Sequence, residues 1–165
     1  MQVLFAPWRL EYILSDKMPE DCIFCDMVSS SDDQGKLVVH RSEQSIVALN
    51  YYPYNNGHLM VAPIRHVRSL AELGEAEILD VFKTLRLCEI ALAKSLRPEG
   101  FNMGINIGRC AGAGVPGHVH VHIVPRFSGD SNFMTVVSQV RVIPELLSET
   151  FERLKPEFVL LKRQK

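Results

Sequence analysis

No stretch of this 165-residue sequence approaches the roughly 18 consecutive apolar residues of a membrane-crossing helix. The short apolar run from Val3 to Ala6 is far below the length of a secretory signal core and soon meets "PWRLEY". No membrane partner is expected, and the expected location is cytoplasmic. Charge of one sign is also lacking: 18 Lys and Arg stand against 19 Asp and Glu, a net charge of −1. That balance argues against a surface built for nucleic acid and for a small partner. The single basic run, Lys162 to Lys165, reads as a solvated tail. Cysteine is sparse, four in all, and in a reducing compartment a disulfide framework is not expected. There is one tryptophan, Trp8, whose Pro-Trp-Arg setting suits a packing anchor better than a base-stacking platform. No internal repeat is present, and the only compositional break is the polar "SSSDDQGK" from Ser29 to Lys36, a surface loop.

What is there suffices for one domain over residues 1–165 with a proper core, since 47% of the residues are hydrophobic. Val- and Ile-rich segments at 36–40, 45–50 and 58–63 predict strands, and "YYPYNNG" between the last two predicts a turn. Apolar residues recur at helical spacing from Ile78 through Val81, Phe82, Leu85, Cys88, Ala91 and Leu92 to Leu96, predicting a helix over 75–96. Acidic residues crowd its start and Lys94 and Arg97 its end, as the helix dipole favours. Further strands are expected at 101–108 and in "GHVHVHIVPRF" (117–127), with extended structure at 133–143 and a helix from Pro144 to about Leu154. The class is α+β: a mostly antiparallel five-stranded sheet with one long helix and a C-terminal helix.

Three of six histidines fall in that last strand at alternate positions. Alternation would turn Val119, Val121 and Ile123 to the core and line up His118, His120 and His122 on the opposite face, roughly 6 to 7 Å apart. A chance polar face is one reading, and a catalytic metal held by all three is another. A third is phosphoryl chemistry, because a neutral imidazole is a competent nucleophile near pH 7 and protonated neighbours can bind phosphate oxygens or protonate a leaving group. His120, flanked on both sides, is the nucleophile of choice. His118 and His122 complete the candidate catalytic set.

The glycines Gly112, Gly114 and Gly117 formally satisfy GxGxxG, but they open a strand and include Pro116, which excludes a dinucleotide-binding turn. The loop can still offer backbone N–H groups to phosphate, or its glycines can serve unusual backbone angles alone. Cys22 and Cys25 form a CxxC. No strand-to-helix context supports a redox motif, which leaves zinc or two ordinary thiols. For zinc, His66 and one triad histidine are candidate further ligands.

"HVHVHIV" resembles the signature of the histidine triad (HIT) family, and "ALNYYPYNNGHLMVAPIRH" (48–66) and "CIFC" resemble its nucleotide-binding segment and its usual opening. The resemblance covers about residues 20–127, and the flanks "FAPWRLEYI" (5–13) and "VPRFSGDSNFM" (124–134) are similar to the bacterial branch related to diadenosine tetraphosphate phosphorylases and hydrolases. It implies cleavage of dinucleoside polyphosphates at an α-phosphate through a nucleotidyl intermediate on His120, with His122 beside the phosphate. It also implies Asn50 and His58 as nucleotide-binding residues, with Asn50 on ribose hydroxyls. Asn106 and the loop glycines Gly112 and Gly114 would lie on phosphate. Cys22, Cys25, His66 and His118 would hold a structural zinc, with no organic cofactor, and the long helix and an adjoining strand would form a homodimer. One departure is visible: the loop "AGAGVPG" lacks the side-chain donor that many members place before the triad. Nucleoside phosphoramidate hydrolysis, or a zinc-stapled nucleotide-binding or interaction protein with little turnover, are the alternatives.

Overall fold

The computed structural model describes residues 22–130 and 145–162. The expected extended segment at 133–143, Trp8 and the 5–13 flank lie outside these residues. Five strands form one sheet: β1 (Val38–Arg41), β2 (Ser45–Leu49), β3 (Leu59–Pro63), β4 (Gly100–Ile105) and β5 (Val121–Arg126). Their order is β1-β2-β3-β5-β4, and every described pairing is antiparallel. Among the described residues three α-helices accompany them, α1 (Ile23–Ser29), α2 (Glu75–Leu96) and α3 (Leu147–Lys162). This is the expected α+β class.

The period-2 pattern of the central strands is apolar on both faces. Val47, Leu49, Leu59, Val61, Val121 and Ile123 join one core with Val81, Leu85, Cys88 and Leu92 of α2 and Phe151, Leu154 and Phe158 of α3. Their alternates Ile46, Ala48, Met60 and Ala62 join Val38 in a second core with Phe24 and Met27 of α1. α2 runs over the length its spacing predicts. Its start is fixed by the Glu77 carboxylate, which accepts the Gly74 N–H at 2.8 Å, satisfying one orphan donor of the first turn. It ends at Arg97, which takes a left-handed conformation (φ 51°) just before Pro98. Not all of its apolar stripe is covered: Ile78 is 39% and Phe82 67% exposed.

Several boundaries depart from expectation for local reasons. α1, seven residues that include Cys25 and follow Cys22 at the N-cap, is too short to show a periodicity in the sequence. β4 stops at Ile105 rather than 108, since the chain turns away through Gly108 at φ 82°. α3 continues past Leu154, through Pro156, because Phe158 and Leu161 extend the buried stripe of Thr150, Phe151 and Leu154. The burial of that stripe outweighs the one backbone hydrogen bond that proline removes. β5 begins only at Val121, so His118 and His120 lie just before it.

Candidate active site and metal centre

The histidine row does not sit on a solvent face. His118 is fully buried and His120 is 4% exposed, because α1 covers that side of the sheet. The Phe24 ring centroid lies 5.2 Å from that of His118 and 4.8 Å from that of His120. Val121 and Ile123 join the core on the other face as the alternation predicts, but the pattern says nothing about what lies over the histidines.

The His118 and His120 rings are each oriented by a backbone carbonyl, and that fixes which nitrogen carries hydrogen. His118 Nε2 lies 2.8 Å from Pro63 O; a carbonyl can only accept, so Nε2 donates and Nδ1 keeps its lone pair. That lone pair faces Cys22 Sγ at 3.3 Å and Cys25 Sγ at 3.8 Å, while His66 Nδ1 meets Cys25 Sγ at 3.2 Å. The four ligand atoms all lie within 4.8 Å of one another. The shorter contacts match the edges of roughly 3.3 to 3.8 Å of a tetrahedron built on zinc–nitrogen and zinc–sulfur bonds, so donor set and spacing both suit zinc. His66 packs on Gly117, where a Cβ would approach its Nε2 to 3.4 Å, and Val119 N–H donates to Val67 O at 2.7 Å, clamping the two segments together. Burial pushes His118 below the ordinary histidine range, aided by His66 and His120 and opposed by the Pro63 carbonyl. Burial pushes the Cys25 thiol up, with Cys22 adding to it.

His120 Nδ1 donates to His118 O at 2.9 Å, which leaves Nε2 as the lone pair. Burial outweighs that hydrogen bond and lowers its basicity, so the ring is neutral near pH 7. His122 stands edge-on to it, with centroids 4.8 Å apart.

His122 in turn has a partner. Tyr54 N–H donates to His58 Nδ1 at 3.0 Å, so His58 Nε2 carries the hydrogen and donates to His122 Nδ1 at 3.0 Å. In neutral His122 the remaining hydrogen is therefore on Nε2. His58 is fully buried, so it reaches a ligand only through His122. The Tyr54 ring stacks on His58 at 5.0 Å and 18°. The Asn50 amide nitrogen lies 3.4 Å from His58 Nδ1, and its Oδ1 accepts Tyr52 N–H at 2.9 Å. Asn106 follows directly on the last β4–β5 pair, Ile105 with Val121. Its amide donates to Gly112 O at 3.5 Å. Gly112 has φ 83° and is exposed, while Gly114 is half-buried. Among the arginines that could meet phosphate, Arg65 is held by Glu77 and Glu72 O, and Arg126 by Asp130 and Asn102.

A family model described as HIT domain matches residues 32–129. The chain belongs to the HIT domain family. This HIT protein is 37% identical over 166 residues to a Mycobacterium tuberculosis (strain ATCC 25618 / H37Rv) protein named AP-4-A phosphorylase, covering 96% of this chain and 85% of that one. It is 38% identical over 96 residues to the Schizosaccharomyces pombe bis(5'-nucleosyl)-tetraphosphatase [asymmetrical], covering 58% of this chain and 52% of that one. Among solved structures, a Zn-bound histidine triad family protein from Mycobacterium smegmatis superposes with a TM-score of 0.69 at 25% identity, covering 88% of this chain and 98% of that one. A hypothetical histidine triad nucleotide-binding protein from Sulfolobus tokodaii superposes with a TM-score of 0.68 at 26% identity, covering 87% and 95%.

Sequence reasoning missed Phe24, Tyr54 and the Pro63 carbonyl, all of which hold histidine rings. Phe24 left a trace, as one of the two apolar residues enclosed by the CxxC. Tyr54 left none beyond a turn.

Proposed function

We propose that this HIT protein cleaves dinucleoside polyphosphates of the diadenosine tetraphosphate class at an α-phosphorus, by way of a nucleotidyl group on His120. The observation that carries this is the orientation of His120: Nδ1–H is pinned on His118 O, so a neutral ring presents Nε2 with a free electron pair. Nε2 attacks the α-phosphorus, and the bond from phosphorus to the bridging oxygen breaks. The nucleoside polyphosphate leaves with that electron pair. His122 Nε2–H, its tautomer set by His58 and Tyr54, would donate to the phosphoryl or leaving oxygen, a contribution of about 10²–10⁴ for general acid catalysis. Water or inorganic phosphate then displaces the histidine, giving a nucleoside mono- or diphosphate and restoring the lone pair. Splitting one hard displacement into two is what a covalent nucleophile supplies. The names of the M. tuberculosis and S. pombe relatives support this substrate class.

Asn50 would bind ribose hydroxyls, and Asn106, Gly112 and Gly114 the phosphates. Cys22, Cys25, His66 and His118 would hold a structural zinc, the Zn-bound neighbour being consistent with that. Four protein ligands close the coordination, so the metal's contribution there is rigidity, not Lewis acidity. His118 thus links both sites: one nitrogen faces the thiols and its carbonyl orients the nucleophile. A homodimer through α2 and β4 is supported by exposed Leu79, Phe82 and Met103. A cytoplasmic protein of this kind needs no organic cofactor. No helix among the described residues is long and apolar enough to cross a membrane.

The test is chromatography of the products formed from diadenosine tetraphosphate with and without inorganic phosphate. ADP plus ATP indicates resolution by phosphate, and AMP plus ATP resolution by water. No product from the wild type overturns the substrate assignment.

A further inference from the structure

Helix α1 carries both thiols and Phe24, yet it has only seven residues and no side-chain hydrogen bond at its Cys22 N-cap. A helix that short has no stability of its own in water. Phe24 and Met27 anchor its buried face. Asp26 pairs with Lys36 on its exposed side, and its C-terminal end is held by one guanidinium on β1.

Arg41 Nη2 donates to Met27 O at 2.7 Å and to Ser30 O at 2.9 Å, Nη1 donates to Val28 O at 3.2 Å, and Nε donates to Asp33 Oδ1 at 2.8 Å. These are carbonyls at and just beyond the C-terminus of α1, where a helix leaves acceptors unpaired and gathers partial negative charge. Asp33 is itself held from the far side, accepting Lys155 Nζ at 2.8 Å, and that ammonium also donates to Val38 O at 2.9 Å. The latch therefore runs from α3 through Lys155 and Asp33 to Arg41 and α1. β1 makes this possible by its irregularity between Val38 and His40: His40 stacks on Phe158 of α3 while the next residue, Arg41, reaches α1.

We infer that Arg41 is a positioning residue, which by closing the C-terminus of α1 holds Cys22 and Cys25 opposite His66 and His118 and keeps Phe24 on the triad rings. In its metal part the inference rests on reading those four residues as a zinc site. A planar fork with five donors suits three carbonyls and a carboxylate together; a lysine in its place reaches fewer of them.

The experiment compares the full-length wild type with Arg41→Ala, Arg41→Lys and, as a control in the core on the opposite face of the sheet, Leu85→Ala. Two quantities are read: the rate of zinc release to a chromophoric chelator, and hydrogen exchange of the α1 amides 26–30 in the zinc-stripped proteins. Arg41→Ala is expected to speed both about tenfold or more, with amides of β3 and α2 unchanged and Arg41→Lys falling between. Leu85→Ala is expected to lower the unfolding midpoint without this selectivity. Wild-type values in Arg41→Ala, or acceleration equal across α1, β3 and α2, overturn the inference. Should Arg41→Ala not fold, Arg41→Lys decides by the same comparison. A wild type that takes up no zinc overturns the metal reading alone, and exchange at 26–30 then decides the role of Arg41.

Discussion

His120 donates its Nδ1–H to the carbonyl of His118 at 2.9 Å, two residues back along the chain. The hydrogen bond leaves the opposite nitrogen with the lone pair of the proposed nucleophile, and it ties that ring to a residue whose own ring faces Cys22 and Cys25. His120→Ala is expected to keep the fold and nucleotide binding while losing about three orders of magnitude or more in turnover. Steady-state kinetics alongside nucleotide titration check both halves.

His58 is expected to act on kcat rather than on binding. His58→Phe keeps an aromatic ring in a fully buried position but removes the donor to His122 Nδ1. It should lower kcat about 10²-fold with KM nearly unchanged. In the wild type, nitrogen-15 spectra of the neutral state should show His122 protonated at Nε2; protonation at Nδ1 would contradict the relay.

One zinc per chain is expected by elemental analysis of protein purified with zinc present. Stripping it, or Cys22→Ser, should lower the Tm by at least about 5 °C, and readdition should restore the stripped wild type but not the variant. Binding energy of a closed site adds to the folded state alone.

Asp130 gives the pH dependence a sign. Burial alone would raise its carboxyl, but hydrogen bonds from Arg126, the Phe127 N–H and Asn55 outweigh that and hold it below the ordinary value. A carboxyl lowered in the folded state adds stability above its unfolded pKa of about 3.9, and that stability is lost as pH falls through the folded value. Asp130→Asn should therefore be less stable than wild type at pH 7, with the gap closing below about pH 4. Thermal unfolding across pH 2–7 reads this directly.

Phe82 is 67% exposed within the apolar stripe of α2. Phe82→Glu should convert the proposed dimer to monomers in sedimentation equilibrium while leaving the Tm of the monomer within a few degrees, since most of the side chain is exposed.

Much of this molecule is legible in its residues. The recurrence of Val81, Leu85, Cys88 and Leu92 announces α2 and its core face, and the Val-rich segments announce the strands. The pairing of Cys22 and Cys25 with His66 and His118 followed from the family resemblance, and the chain brings those four together. What stayed hidden depends on contacts across the sequence. Alternation at His118, His120 and His122 separates two faces but cannot tell that α1 covers the second. The burial that neutralises His120 is therefore invisible in one strand. The tautomer chain from Tyr54 through His58 to His122 passes through a backbone N–H, which every residue possesses. Arg41 is an ordinary strand residue until Met27, Val28 and Ser30 turn their carbonyls toward it.

The proposed mechanism requires a covalent nucleotidyl group on Nε2 of His120. Mass spectrometry of the protein quenched in alkali within the first turnover of diadenosine tetraphosphate, so that the phosphorus–nitrogen bond survives, reads it directly. One added adenylyl group per active site is expected, on the peptide carrying His120 and absent in His120→Ala. Full turnover with no adduct at any time, or an adduct that persists in His120→Ala, would contradict it.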